Sequence, residues 1–196
     1  IRRVFDDVAP RYDLMNDLMS FGIHRLWKDR VAAIAAPRAG EIIVDLAAGT
    51  GDIARRLEPS GAVVIAVDPG EAMLRAGTRA GDRFLRVVAE GEALPFPDNS
   101  LDCVTIAFGI RNVTEMTTAL REIARVIRPG GRFVCLEFSR ARAWLRPFYG
   151  LWSRLAIPAL GAAIARSRYA YRYLVQSIRR FPDQDEFAAL ISQAGF

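Results

Sequence analysis

The chain has 196 residues, of which 52% are hydrophobic and 25% charged, with a formal net charge of +5 and a single histidine. This balance indicates one folded domain with a full hydrophobic core and argues against a disordered chain. The two cysteines lie in apolar runs and no Cys-x-x-Cys pair occurs, so neither a disulfide nor a transition-metal site is expected. The longest apolar stretch, residues 155–165, is too short for a bilayer span.

Residues 1–36 predict an N-terminal helical cap. A mixed aromatic, acidic and apolar stretch over residues 4–16 could cover the open end of a ligand cleft, or it could be a packing helix without ligand contact. Apolar residues then recur at helical spacing and predict an amphipathic helix. They are Ile23, Leu26, Trp27, Val31 and Ile34.

The next segment, residues 42–57, predicts a strand, a glycine turn and a helix in that order. An apolar run carries Asp45 near its end, and Gly49 and Gly51 follow. This order is the first crossover unit of a nucleotide-binding or cofactor-binding sheet. The glycines lack Cβ atoms where the backbone turns sharply, so the amides of the turn can approach a ligand.

Two ligands fit this turn, a dinucleotide and S-adenosylmethionine. The spacing Gly49-x-Gly51-x-x-Ala54 matches the dinucleotide fingerprint, in which pyrophosphate binds a helix N-terminus. Asp45 and Asp52, however, place negative charge where a phosphate needs positive potential. Like charges about 4 Å apart repel by roughly 4 kcal/mol at an effective dielectric near 20. S-adenosylmethionine is cationic at its sulfonium and carries no phosphate, so the carboxylates favour it, although Asp52 is also a suitable helix cap.

Acidic residues follow the next two predicted strands. Asp68 and Pro69 end a strand over residues 62–67, where a carboxylate can accept both ribose hydroxyls of an adenosine or cap the next helix. Glu90 ends a strand over residues 83–89, where it could accept from an adenine amino group.

Two further strands complete the predicted sheet. They span residues 101–108 and 132–138, on either side of a helix over residues 114–128 that Pro129 stops. Five alternations predict a mostly parallel, doubly wound α/β sheet of Rossmann-like type within a core over residues 40–138.

The basic charge is concentrated in one segment, residues 139–182, which holds nine arginines and no acidic residue. Tryptophan and tyrosine residues are interleaved with the arginines. Anionic headgroups attract such basic segments, and these aromatic residues suit the membrane interface. The segment therefore predicts a helical lid over the substrate that touches the membrane. Asp183 and Glu186 predict a capping box for a last helix over residues 183–196.

Blocks along nearly the whole chain resemble the quinone-ring C-methyltransferases of the UbiE/MenG/Coq5 group. The Gly-Thr-Gly turn alone would indicate only a class I S-adenosylmethionine-dependent methyltransferase. Members of the group methylate demethylmenaquinol and 2-polyprenyl-6-methoxy-1,4-benzoquinol, and they continue into two more strands, so this chain is expected to be truncated. The matching blocks are residues 4–16, 20–28, 92–96, 108–113, 136–139, 173–178 and 181–184.

The resemblance implies S-adenosylmethionine as the cofactor and a prenylated quinol as the substrate. It assigns donor binding to Thr50, Asp68, the pair Glu90 and Gly91, and the residue at position 107. In the group, position 90 is more often Asn or Asp, and position 107 is more often Ser. With the neighbouring turn and strand-end residues, the predicted donor site is Asp45, Ala47, Gly49, Thr50, Gly51, Asp68, Pro69, Glu90, Gly91 and Ala107.

Methylation of a ring carbon requires an electron-rich ring, which deprotonation of a quinol hydroxyl provides. Arg111 is predicted to favour the phenolate, because it is permanently charged and follows the fourth strand. Asn112 is predicted to orient the ring oxygen. His24 and Tyr12 are candidate general bases, with a structural role as the alternative for His24.

The implied location is the cytoplasm, with peripheral contact at the inner face of the membrane. No nucleic-acid partner is expected, since no Pro-Cys nucleophile or Asn-Pro-Pro-Tyr-type loop follows the fourth strand; a homodimer is compatible with the sequence. The alternatives are another class I small-molecule methyltransferase and an NAD-dependent reductase. The choice between a naphthoquinol and a benzoquinol is left open.

Overall fold

The computed structural model describes residues 22–139 and 176–196. The N-terminal residues 1–21 and most of the predicted lid, residues 140–175, lie outside this part. The strands are β1 (Ile42–Leu46), β2 (Val63–Val67), β3 (Leu85–Val87), β4 (Leu101–Ala107) and β5 (Ile127–Leu136). The helices are α1 (Ile23–Ala35), α2 (Asp52–Leu57), α3 (Glu71–Ala76), α4 (Met116–Val126) and α5 (Gln184–Gln193).

The five strands form one sheet in the order β3-β2-β1-β4-β5, and all neighbouring pairs are parallel. This confirms the predicted doubly wound α/β fold. Because the strands are parallel, their carboxyl ends meet at one edge of the sheet, where ligands bind in such folds. The predicted capping box is also present at α5, where the Asp183 side chain accepts from the Glu186 amide.

The core is divided between the two faces of the sheet, since alternate strand residues point to opposite sides. One face packs Val44 and Ile106 against α4 and α5. The other face packs Ile43 and Cys103 against α1 and α2. A sheet covered on both faces needs strands that are apolar on both sides, which is why the strand sequences read as continuous apolar runs.

Strand β5 starts earlier than the sequence predicts. It begins at Ile127, immediately after α4, and includes the proline and glycines that were expected to separate helix from strand. Leu101 pairs with Ile127, but Cys103 pairs with Arg132, so the extra residues form a bulge in the ladder. Gly130 has φ +78° in this bulge, a conformation that glycine adopts without steric cost.

Helix α1 packs on the domain with a different face from the one predicted. Of the apolar row only Val31 is buried, whereas the buried side of the helix carries His24, Lys28, Val31 and Ala35. Lys28 reaches across to Asp52 with an Nζ to Oδ2 distance of 2.7 Å. The ion pair therefore lies on the buried side, and the other members of the apolar row are exposed. They are Ile23, Leu26, Trp27 and Ile34, with exposures of 45%, 66%, 39% and 52%.

The turn that follows β1 (residues 47–51, the β1 turn) is held from behind by Arg55 and Gly77. Arg55 Nη1 donates to the Thr50 carbonyl at 3.0 Å, Nη2 donates to the Gly77 carbonyl, and Nε donates to Asp82 Oδ1 at 2.8 Å. A Cβ atom on Gly77 would overlap the backbone of Thr50. The end of α3 and the β1 turn are therefore in direct backbone contact.

Replacing Gly77 with Ala should lower the free energy of unfolding by about 3 kcal/mol, because the new methyl group meets backbone that cannot move aside. Urea unfolding measures this. The control is Gly81→Ala, at a glycine with φ +96° and no atom within 4 Å of the added Cβ. Only the left-handed conformation is penalised there, at about 1 kcal/mol. Equal losses for the two variants would contradict the proposed backbone contact.

Candidate active site

A cleft opens at the carboxyl ends of β1, β2, β3 and β4. Its position is typical of a small-molecule site in an α/β fold. The lining residues are Leu46, Ala47, Gly49, Asp68, Pro69, Gly70, Met73, Glu90, Gly91, Glu92, Ile106, Ala107, Phe108, Gly109, Asn112 and Val113.

The β1 turn supplies one wall of this cleft through its backbone. Ala47, Gly49 and Gly51 have φ values of 52°, 55° and 78°, so the chain repeatedly enters the left-handed region. A Cβ on Gly51 would lie 2.8 Å from the Phe84 ring, so a side chain there would have to displace that ring and would also be strained by the positive φ. Ala47 and Gly49 line the cleft, whereas Gly51 and Thr50 support it from behind.

Asp68 joins the β1 turn to the loop after β2. Its Oδ2 accepts from the Gly49 amide at 2.8 Å, and its Oδ1 accepts from the Gly70 amide at 2.7 Å. The residue is only 9% exposed and lines the cleft. Each carboxylate oxygen has a second lone pair. Asp68 can therefore fix the two loops and still accept a ribose hydroxyl.

The charge of the cleft wall fits a cationic adenosine compound. Three of its lining side chains are acidic, namely Asp68, Glu90 and Glu92, and among the residues that the structure describes none of the lining side chains is basic. A pyrophosphate would meet these carboxylates with no basic side chain of the described lining to offset them. The sulfonium and ammonium of S-adenosylmethionine are compatible with this wall, and Asp68 and Glu90 are the residues that would hold its ribose and adenine.

Asp52 does not contribute the charge that the sequence suggests. Lys28 Nζ lies 2.7 Å from Asp52 Oδ2, and Arg56 Nη1 donates to Oδ1. Burial alone would raise the pKa of Asp52, but these two cations outweigh it and lower the pKa to about 2. The prediction that Asp52 repels a phosphate at the turn is therefore wrong, because its charge is neutralised outside the cleft wall.

Asp45 also lies behind the cleft and not in its wall. It is 1% exposed, and its Oδ1 accepts from the Thr105 hydroxyl at 3.0 Å. Its Oδ2 accepts from the Ala54 amide at 3.0 Å, which anchors the start of α2. Burial raises the pKa of Asp45 to about 7. The predicted donor contact of Asp45 is not supported, and its observed bonds are structural.

The turn that follows β4 (residues 108–112, the β4 turn) forms the opposite wall. Phe108 and Asn112 line the cleft, and Asn112 Nδ2 donates to the Phe108 carbonyl at 3.3 Å. Phe108 has φ +57°, which is rare for a bulky residue and typical of a functional site. Arg111 does not line the cleft, because its side chain is buried in an ion pair with Glu137.

Three aromatic side chains meet at this wall. Phe108 stacks on Phe138 with ring centroids 4.6 Å apart, and Trp27 lies 6.3 Å from each of them. These separations are typical of favourable aromatic contacts. The cluster connects α1 with the cleft, and it gives this end an aromatic surface.

The structure thus brings together most, but not all, of the predicted site. Eight predicted residues lie in the cleft wall: Ala47, Gly49, Asp68, Pro69, Glu90, Gly91, Ala107 and Asn112. His24 is buried on α1 and does not line the cleft, and Tyr12 lies outside the described residues. The lining residues that sequence reasoning missed are Leu46, Gly70, Met73, Glu92, Ile106, Phe108, Gly109 and Val113.

Solved structures define the class of this fold. A S-adenosylmethionine-dependent methyltransferase from Thermotoga maritima superposes with a TM-score of 0.68 at 21% identity, covering 100% of this chain and 81% of that chain. The [4+2]-cyclase SpnF superposes with a TM-score of 0.66 at 18% identity, covering 87% and 57%. At these identities the likeness concerns the fold, which is that of the class I S-adenosylmethionine-dependent methyltransferases.

The chain belongs to the ubiE/COQ5 methyltransferase family, whose model matches residues 1–196. A relative from Rubrivivax gelatinosus is 59% identical over 197 residues, covering 100% of this chain and 78% of the relative. One from Acidiphilium cryptum is 50% identical over 204 residues, covering 100% and 82%. Both are named ubiquinone/menaquinone biosynthesis C-methyltransferase UbiE. The resemblance seen in the sequence is confirmed, and the chain is a S-adenosylmethionine-dependent methyltransferase, not a reductase.

Asp45 should make the stability of the protein depend on pH. Its pKa rises from an ordinary 3.8 to about 7 on folding, so the folded state keeps the proton longer than the unfolded state. This contribution is complete below pH 4 and is lost as the pH rises through 7. Between pH 5 and 8 the free energy of unfolding should fall by about 3 kcal/mol on this account. Asp45→Asn should abolish this pH dependence, as measured by urea unfolding at the two pH values.

The control for this experiment is Asp82→Asn. Burial tends to raise the pKa of Asp82, but hydrogen bonds from Arg55 and neighbouring groups outweigh burial and lower the pKa to about 2. Asp82 is therefore ionised at both pH values, and its replacement should leave the pH slope unchanged. An unaltered slope in Asp45→Asn would show that Asp45 does not carry the raised pKa.

Proposed function

We propose that this chain transfers a methyl group from S-adenosylmethionine to a ring carbon of a prenylated quinol in ubiquinone or menaquinone biosynthesis. The observation that carries the proposal is the 59% identity, along the whole chain, to a protein named for that activity. The cleft supports it with acidic side chains on one side and with Phe108, which stacks on Phe138, on the other.

One wall of the cleft binds the methyl donor and the other orients the acceptor. S-adenosylmethionine, when bound, supplies an electrophilic methyl group on a sulfonium. Asp68 and the backbone of the β1 turn hold the donor, while Phe108 and Asn112 orient the acceptor ring. Holding two reactants in line can account for about 7–11 kcal/mol of the barrier. Positioning is therefore the main contribution that we expect from these residues.

Arg111 is proposed to favour the phenolate form of the acceptor from behind the cleft wall. Its Nη1 is bonded to Glu137 and to the Phe108 carbonyl, and its side chain does not line the cleft. Glu137 balances the charge of Arg111. The role that we propose for Arg111 is therefore to fix the β4 turn, which presents Asn112 to the ring oxygen, more than to supply net positive potential.

The remaining segments are proposed to bring a lipophilic substrate to the cleft. Residues 1–36 would cap the cleft, and residues 139–182 would form a basic lid in peripheral contact with the cytoplasmic face of the membrane. Of the helices in the described ranges, none has the length and apolar character needed to cross a bilayer. The exposed apolar residues of α1 support the proposal, because Trp27 connects them to Phe108 in the cleft wall.

The acceptor is tested by incubating the protein with methyl-labelled S-adenosylmethionine and each of two acceptors, demethylmenaquinol and 2-polyprenyl-6-methoxy-1,4-benzoquinol. We expect labelled product with at least one acceptor. Asp68→Asn should lower kcat/KM by about tenfold or more, because it weakens the hold on both the donor and the β1 turn. Glu71→Gln is the control, an exposed position one residue beyond the loop after β2. If neither quinol is methylated while S-adenosylhomocysteine still binds, the acceptor assignment is wrong.

Membrane contact is tested with vesicles containing anionic lipid. Replacing Arg146, Arg154 and Arg166 with Gln should weaken binding about fivefold for each charge removed, since each basic residue near the surface contributes about 1 kcal/mol. A second triple variant removes the same charge from exposed positions of the described part, Arg30, Arg38 and Arg121. Unchanged binding by the first variant, or equal loss by both, would overturn the basic lid as the membrane contact.

A further inference from the structure

A buried ion pair ties the β4 turn to the end of β5. The side chains of Arg111 and Glu137 are 6% and 3% exposed, and Arg111 Nη1 donates to Glu137 Oε1. The same Nη1 donates to the Phe108 carbonyl at 2.8 Å. Glu137 therefore holds the guanidinium group against the backbone of Phe108.

Glu137 is itself fixed by backbone amides. Its Oε1 accepts from the Phe138 amide at 2.8 Å, and its Oε2 lies 3.4 Å from the Arg111 amide nitrogen. Burial raises the pKa of Glu137, and Arg111 together with the two amides opposes that rise. A buried ion pair of this kind is seldom more stable than an apolar pair of similar volume. Stability alone does not explain the presence of this pair beside the cleft.

The bond network ends on a strained residue of the cleft wall. Phe108 has φ +57°, and its amide donates to the Leu136 carbonyl at 2.7 Å. Its carbonyl receives donors from both Arg111 and Asn112. A bulky residue keeps a left-handed conformation only where its surroundings enforce it. Here those surroundings are the end of β5 and the ion pair.

We propose that Glu137 is a positioning residue for methyl transfer: it holds Arg111, and through Arg111 the strained backbone of Phe108, so that Phe108 and Asn112 stay in the cleft wall. The kinetic part of this proposal rests on the proposed transfer to a quinol ring. Glu137 touches neither reactant in this scheme, and it is not among the residues that line the cleft.

The first test is Glu137→Gln, which keeps the shape of the side chain and removes its charge. We expect kcat to fall between about 10-fold and 100-fold, because the acceptor is no longer held in line. The KM for S-adenosylmethionine should stay within about threefold, since Asp68 and the β1 turn are not bonded to the pair. A loss that appears equally in donor affinity would indicate general structural damage and overturn the positioning role.

A double-mutant cycle tests whether Glu137 acts through Arg111. If it does, Glu137→Gln should cost almost nothing further in kcat once Arg111 has been replaced with Met. Losses in the double variant that equal the product of the two single losses would contradict the inference. The matched control is Glu122→Gln. Glu122 is likewise paired with an arginine, Arg125, and accepts from the Leu94 amide at 3.0 Å, but none of these residues lines the cleft. Its kcat should be unchanged.

Hydrogen exchange tests the same inference without an acceptor. In the presence of S-adenosylhomocysteine, Glu137→Gln should speed exchange in a peptide over residues 106–114 and leave β1 and β2 unchanged. Unaltered exchange there overturns the inference, whereas inactivity of the unaltered protein toward both quinols overturns only the acceptor assignment. Should Glu137→Gln not fold, as judged by circular dichroism, Glu137→Asp replaces it. The shorter side chain keeps the charge but withdraws it from Arg111, and the same separation of kcat from KM is expected.

Discussion

The left-handed backbone of the β1 turn is the constraint on which the cleft depends. The turn enters this region at Ala47, Gly49 and Gly51. Glycine does so without steric cost, but Ala47 keeps the conformation only where bonds around the turn enforce it. Asp68 supplies those bonds on the cleft side, and Arg55 supplies them from behind. The conformation of the turn is consequently fixed before a ligand arrives, which lowers the ordering cost of binding.

The fold follows largely from local patterns in the sequence. Alternating apolar runs and helical segments identify all five strands and their parallel arrangement, because a crossover connection returns the chain to the edge of the sheet from which the previous strand began. Two features do not follow from local pattern. The bulge in β5 depends on pairing with β4. The Pro-Gly-Gly sequence at residues 129–131 predicts only the end of a helix and does not reveal this pairing. The buried face of α1 depends on Lys28, whose partner Asp52 lies 24 residues further along the chain.

The same distinction divides the residues of the site. Strand-end residues such as Asp68 and Glu90 could be assigned from sequence, because their place at the sheet edge follows from the strand that precedes them. Most of the residues that sequence reasoning missed are next to these positions in the chain. They could have been predicted by including one or two further residues on each side of a strand end. The environment of a charged residue is harder to predict from sequence. Asp52, Asp45 and Arg111 each look available in the sequence, but distant partners, including Glu137 at 26 residues from Arg111, neutralise or bury them.

The two walls of the cleft carry different kinds of information about function. The donor wall is built by backbone turns that belong to the fold, which a protein named as a [4+2]-cyclase shares at 18% identity. Such a wall can indicate the cofactor but not the reaction, because fold alone does not specify function. The acceptor wall rests on Phe108, whose conformation depends on the ion pair between Arg111 and Glu137. What separates this methyltransferase from others of its class is therefore to be sought in that pair and the aromatic surface above it, not in the glycine turn.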